Sequence, residues 1–203
     1  MTTKRRVVIT GVGSITPLGN TINDFWKNIM LGTSGSDFIS RFDTDRFKTK
    51  FACEVKNFDP LEYIENKKEL RKLDRFSVFA LAATEQAFHD SGLNKEKINQ
   101  QKAGVVWGSG IGGLETFYTE TKNLIESKSS IRISPFFIPM MISNMAASRI
   151  AMRFGFMGPS STVVTACTTG AEAIGSAYRM LQLGEADVMV AGGTEAGIVE
   201  FAL

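Results

Sequence analysis

Short β-branched segments, each closed by glycine or handed straight to an amphipathic helix, constrain this chain more than any other feature. Ala103-Gly-Val-Val-Trp107 runs into Gly108 and is followed by a helical pattern from Leu114 to Ile125. Ser161 to Ala166 leads into Thr169 to Leu183, which ends at Gly184, and Ala186 to Ala191 then reads as the next strand. Strands of this length alternating with helices predict an α/β fold with a mainly parallel sheet. Val7 to Thr10, bounded by Gly11 and Gly13, is expected as a further buried strand. No Gly/Ser-rich linker, repeat or low-complexity tract marks a boundary, so the 203 residues read as one domain or part of a larger one.

Other segments fill in the pattern. Residues 22–31 have helical spacing, with Ile22, Phe25, Ile29 and Trp26 assigned to one face. Residues 32–60 read as irregular surface structure with a short strand around Phe51 to Val55. The spacing predicts one long helix from Lys67 to Ser91, carrying Leu70, Leu73, Phe76, Ala80, Ala83 and Ala87, with Gly92 placed to stop it. Residues 131–150 hold a proline-punctuated apolar segment and a further helix.

Whole-chain properties exclude several classes. Hydrophobic content of 43% and charged content of 22% are those of a globular protein, and a net charge of +2 does not favour nucleic acid or an anionic membrane as partner. The basic start, Met1 to Arg6, is followed by too few apolar residues for a signal peptide. No stretch approaches the ~18 apolar residues of a membrane span, and the chain reads as cytoplasmic. The two cysteines, Cys53 and Cys167, are expected to be free thiols.

Cys167 is the leading candidate for chemistry. It falls between a β-branched strand and an amphipathic helix, at the positive end of the helix dipole and near unpaired backbone N–H groups. That position suits a nucleophilic thiolate, and the same N–H groups are placed to steady an oxyanion on a thioester carbonyl. Position alone leaves open the alternative of a small residue packed at a strand end. Cys53, in an alternating strand-like segment, is expected to be packing. His89, the one histidine, projects off the apolar stripe and reads as solvated; with two distant cysteines it makes no metal site.

Two glycine clusters invite a nucleotide reading. Gly11-Val-Gly13-Ser-Ile-Thr16 lacks the third glycine. Gly108-Ser-Gly110-Ile-Gly112-Gly113 satisfies G-x-G-x-x-G, but no acid-tipped second strand follows it in Lys128 to Pro135. These glycines are expected to serve turns or close backbone approach, and no cofactor is called for. Lys68, Arg71, Lys72 and Arg75, spaced to share one helix face, form a local cationic patch that fits a compact acidic partner. A solvated face is the plainer alternative.

Taken together, these segments resemble the β-ketoacyl-acyl carrier protein synthases, most closely the type II elongating branch, over essentially the whole chain. Arg5 to Gly11 with Thr16-Pro-Leu-Gly-Asn20, Gly108 to Gly113, Ile133-Ser-Pro-Phe-Phe-Ile-Pro139, Asn144-Met145, Thr165-Ala-Cys-Thr-Thr-Gly170 and Ala186 to Gly193 occur in the family's order. The resemblance implies a thiolase-like layered αβαβα fold, of which residues 1–203 supply the first of two βα repeats. It implies that Cys167 accepts an acyl group, which then condenses with decarboxylated malonyl-carrier protein to give a 3-oxoacyl product. By the same resemblance Gly110, Ile111, Phe137, Ile138 and Ala166 belong to the acyl pocket, with Ile111 as gate and Phe137 and Ile138 reaching it from a dimer partner. Lys68, Arg71 and Lys72 match residues that dock an acidic acyl carrier protein.

One departure matters. The family's two decarboxylating histidines, in Gly-Thr-Gly-Thr and Lys-Ser-x-x-Gly-His segments, and its glycine-rich Phe motif do not occur here. The resemblance therefore implies that a C-terminal half or companion chain completes the site, and that part of the Cys167 helix, among Ile174, Ala177 and Leu181, is left uncovered without it. A polyketide or initiating synthase, another thiolase-fold activity, and a non-catalytic or truncated relative stand as alternatives.

Overall fold

The computed structural model describes residues 5–127 and 133–203. The residue patterns give helices α1 (Ile22–Met30), α2 (Lys67–Leu70), α3 (Arg75–Asp90), α4 (Leu114–Glu126), α5 (Phe137–Met141), α6 (Met145–Phe154) and α7 (Thr169–Leu183). The strands are β1 (Asp37–Phe38), β2 (Phe51–Ala52), β3 (Ala103–Gly108), β4 (Ser160–Ser161) and β5 (Val188–Gly193).

Strand β3 is buried along its whole length and is the centre of a parallel sheet in the order β4-β3-β5. Its register with β5 runs from Ala103 opposite Val188 to Gly108 opposite Gly193. Because side chains alternate across a strand, Ala103, Val105 and Trp107 point to one face and Val106 to the other. The first face meets Phe76, Val78, Ala80 and Leu81 of α3 with Ala146, Ala147 and Ile150 of α6; the second meets Ala173 and Ala177 of α7. The result is a helix–sheet–helix sandwich of α/β class, as the alternation predicts. Among the described residues no helix is long and apolar enough to cross a membrane.

The long helix expected over Lys67 to Ser91 is two helices. Asp74 breaks it: the Asp74 carboxylate caps α3 by accepting from the Phe76 N–H at 3.2 Å, so it competes with the ladder that would join the two pieces. The same carboxylate accepts from the backbone N–H (2.9 Å) and the hydroxyl (2.7 Å) of Thr116, tying α3 to the first turn of α4. Apolar periodicity runs across the break unchanged, which is why the sequence hides it.

Val7 to Thr10 also departs from expectation. The segment has no sheet partner, and Val8 and Ile9 are 60% and 82% exposed. Its glycines serve contact with α3 instead: a Cβ on Gly11 would stand 2.1 Å from the Ala87 carbonyl oxygen, and one on Gly13 2.0 Å from that of Ala83. The strand expected at Phe51 to Val55 shrinks to Phe51–Ala52, and of that expected at Ser161 to Ala166 only Ser161 is strand, paired as part of Ser160–Ser161, while Ala166 opens a helical turn. Trp26 is exposed, off the half-buried Ile22 and Phe25 face of α1. The expectations for Met1–Lys4 and residues 128–132 lie outside the described residues.

Burial raises the Asp74 pKa above the ordinary carboxylate value, against the lowering effect of its three hydrogen bonds. A raised folded-state value means that this group's stabilising contribution is largest in acid and falls as pH rises through that value. Asp74→Ala, which strands two buried N–H groups, is expected to lower stability by about 2 kcal/mol, read as a fall in urea midpoint.

Candidate active site

The seat of the Cys167 turn starts with missing side chains. At the ends of β3 and β5, Gly108 and Gly193 lie side by side, and the N-terminus of α7 rests on them. A Cβ on Gly108 would fall 1.9 Å from Cγ2 of Thr169, and one on Gly193 would fall 3.0 Å from Cα of Gly170. Any larger residue would push α7 off the sheet.

Cys167 lies in the single helical turn Ala166–Thr168 that opens into α7. Ala166 before it has φ of +51°, a left-handed conformation that costs a non-glycine residue free energy and is held here by its neighbours. Buried Thr169 does the holding: its hydroxyl donates to the Ala166 carbonyl at 2.7 Å and accepts from the Thr165 N–H at 2.9 Å. The thiol is exposed and free. No side chain caps α7, so its first N–H groups are not taken up by a cap as those of α1 and α3 are. An exposed sulfur at a helix N-terminus that no side chain caps is a candidate for nucleophilic attack, while the N–H groups of Thr168 and Thr169 themselves donate to the carbonyls of Thr165 and Ala166.

Beside it lies the glycine-rich turn after β3, and here the amides of residues 110–113 are all spent. The N–H groups of Gly110 and Ile111 donate to Oε2 of Glu195 at 2.8 and 3.1 Å. Gly112 N–H donates to the Ser109 hydroxyl (2.9 Å), which itself donates to Glu195 Oε1 (3.0 Å), and Gly113 N–H donates to the Met141 carbonyl (2.8 Å). A nucleotide phosphate would need those donors, so the G-x-G-x-x-G match is a close-packing device, as its context suggested. Gly110 abuts the nucleophile turn, since its Cβ would lie 2.9 Å from Glu195 Oε2 and 3.7 Å from Cα of Ala166. Ile111 projects at the rim, 57% exposed.

Thus Gly110, Ala166 and Cys167 come together. Phe137 and Ile138 sit on α5, Phe137 half-buried with its ring stacked 6.5 Å from Phe117 and Ile138 53% exposed. Glu195 went unremarked in the sequence. Its only trace there is indirect: four consecutive amides in a glycine-rich turn need acceptors, and a carboxylate just past a neighbouring parallel strand can reach them.

The cationic patch is not one helical face. Lys68 lies on α2, while Arg71 and Lys72 lie in the break, all exposed. Lys72 sits 5.1 Å from the Phe136 ring centroid. Arg75 leaves the patch: it is half-buried over the Phe79 ring at 4.9 Å, and burial, then the charge of Arg41, lowers its pKa.

Two further expectations are corrected. Cys53 is exposed rather than packed, because the two-residue β1–β2 ribbon turns Glu54 inward, where it accepts from the N–H and hydroxyl of Ser40. On α7, Ile174 is 55% exposed and Leu181 half-buried, but Ala177 is buried against the sheet; Tyr178, at 46%, takes its place on the open face. His89 is exposed, as expected.

Residues 4–203 match the family described as beta-ketoacyl synthase, N-terminal domain. The chain is 42% identical over its full length to the 3-oxoacyl-[acyl-carrier-protein] synthase 2 of Staphylococcus aureus (strain COL), covering 49% of that protein. It is 48% identical over 95% of its length to the enzyme of the same name from Vibrio cholerae, covering 46% of it. A solved structure of a type II PKS acyl-carrier protein in complex with its ketosynthase bound to the hexaketide superposes with a TM-score of 0.81. There the identity is 28%, over 95% of this chain and 51% of that one. The chain spans about half the length of the curated relatives it matches.

Thr169→Val keeps the shape but removes both hydroxyl bonds under Ala166. It is expected to cost about 1 to 3 kcal/mol of stability by chemical denaturation. Alkylation of Cys167 should change relative to Cys53, read by peptide mass mapping.

Proposed function

We propose, from the premise that this chain belongs to the β-ketoacyl synthase family through its N-terminal domain, that it supplies the acyl-accepting nucleophile of a decarboxylative condensation in fatty-acid chain elongation. The observation that carries this reading is the exposed Cys167 thiol on a left-handed turn at an uncapped helix N-terminus. The Cys167 sulfur attacks the thioester carbonyl of an acyl-carrier protein. The carbonyl oxygen takes the negative charge, with the Cys167 backbone N–H as one of its donors, and the carrier thiol leaves with a proton. Malonyl-carrier protein then loses carbon dioxide, and the resulting carbanion attacks the acyl-cysteine. A carbon–carbon bond forms, the cysteine thiolate leaves, and the 3-oxoacyl group stays on the carrier.

Residues 1–203 are read as the N-terminal half of the working unit. The histidines that polarise the malonyl thioester and the second oxyanion donor are assigned to a C-terminal half or companion chain, packed against the open face of α7 at Ile174 and Tyr178. Gly110, Ile111 and Ala166 wall the acyl pocket from this chain, and Phe137 and Ile138 complete it from the other copy of a homodimer. Lys68, Arg71 and Lys72 dock the acidic carrier protein; their exposure leaves the charges free to do so.

A polyketide-forming ketosynthase is the second reading, favoured by the solved-structure likeness at 28% identity. Identities of 42% and 48% to 3-oxoacyl synthases 2 weigh toward fatty-acid elongation.

Incubation with an acyl-carrier thioester followed by intact-mass and peptide analysis is expected to place one acyl group on Cys167. Cys167→Ser should reduce the adduct by about a thousandfold or more. Adduct on Cys53 instead, or none on wild type, would contradict the reading.

A further inference from the structure

The glycine-rich turn beside the nucleophile is held by a carboxylate that takes no direct part in the chemistry set out above. Glu195 lies two residues beyond β5 and reaches across to the end of β3. One of its oxygens takes the N–H groups of Gly110 and Ile111, and the other takes the Ser109 hydroxyl. Those bonds hold the turn beside Ala166, next to Cys167: a Cβ on Gly110 would meet Glu195 Oε2 at 2.9 Å and Ala166 Cα at an ordinary 3.7 Å. Ile111, the residue whose N–H is gripped, is the one whose side chain stands free at the rim.

We propose that Glu195 is a positioning residue for acyl-chain selection: by fixing the backbone of Ser109 to Ile111 against the nucleophile turn, it sets where the Ile111 side chain stands and therefore which acyl chains reach Cys167. The inference rests on the acyl-transfer reading above. Three bonds from one carboxylate make a stiffer clamp than a single neutral acceptor would, because one group ties down three donors of the same turn. The clamp also ties the turn after β3 to the segment that follows its parallel neighbour β5, so the turn is held from a second strand. Relaxing it moves a wall of the pocket while leaving the sulfur in place. A change in discrimination between chain lengths is therefore expected, rather than a loss of nucleophilicity.

The test uses the chain together with any polypeptide that completes its site. Wild type, Glu195→Ala and Glu195→Gln are each offered short, medium and long straight-chain acyl thioesters, and acylation of Cys167 is followed by intact mass. Iodoacetamide alkylation of Cys167, with Cys53 as internal standard, reports the sulfur itself. Glu195→Ala is expected to change the long-to-short acylation ratio by about tenfold with alkylation nearly unaltered. Glu195→Gln, which can still accept from both backbone N–H groups, should return the ratio toward wild type. An unchanged ratio in Glu195→Ala overturns the proposal, as does an equal fall in acylation of every chain length and in alkylation. If Glu195→Ala fails to fold, Ser109→Ala serves instead: a shifted ratio supports the clamp and a wild-type ratio overturns it. Wild type that alkylates at Cys167 but takes no acyl group from any thioester overturns the acyl-transfer reading, and this inference with it.

Discussion

The seat of α7 on two glycines is the contact on which the rest of the site depends. Gly108 and Gly193 end adjacent parallel strands at the same level, and neither has a side chain to keep the helix away. Thr169 and Gly170 fill that space, Thr169 reaches back to hold Ala166 in a left-handed conformation, and Cys167 is turned outward. The glycines weaken both strand ends, since a residue without a side chain loses more backbone freedom on folding. Burial of β3 between α3, α6 and α7 offsets this, as Phe76, Val105, Val106 and Ile150 are fully excluded from water.

Two carboxylates, buried Asp74 and exposed Glu195, tie the loops of this frame together. Asp74 caps α3 and holds the start of α4; Glu195 holds the turn that leads into α4 from the other side. Between them they fix the path from β3 to α4, which carries Ser109 to Gly113 past the Cys167 turn. The phosphate-loop appearance of that path is thus misleading for a physical reason: its amides are already paired within the protein.

The sequence made the sandwich legible because β3, β5 and α7 each carry a complete local pattern: a β-branched run, a helical period and a closing glycine. The helix after Cys167 was legible for the same reason, although the strand expected before it is only Ser160–Ser161. Features made by contacts between distant residues were not. The break at Asp74 depends on Thr116, 42 positions away, and nothing in the local apolar spacing interrupts there. Glu195 acts on amides more than 80 positions earlier. Val7 to Thr10 shows the reverse error, where a sound local strand pattern found no partner and its glycines served helix contact. Cys53 and Glu54 show how a two-residue ribbon leaves inward and outward facing open to choice by a single polar bond.

The most direct test of this account is Gly108→Ala, with the iodoacetamide alkylation rates of Cys167 and Cys53 compared before and after. The added methyl would meet Thr169 at 1.9 Å and the Val163 carbonyl oxygen at 2.6 Å, forcing α7 to move. The account predicts a loss of stability of about 1 to 3 kcal/mol and a changed Cys167 rate against a constant Cys53 rate. An equally stable variant with both rates unchanged would contradict the claim that the missing side chain seats the Cys167 turn.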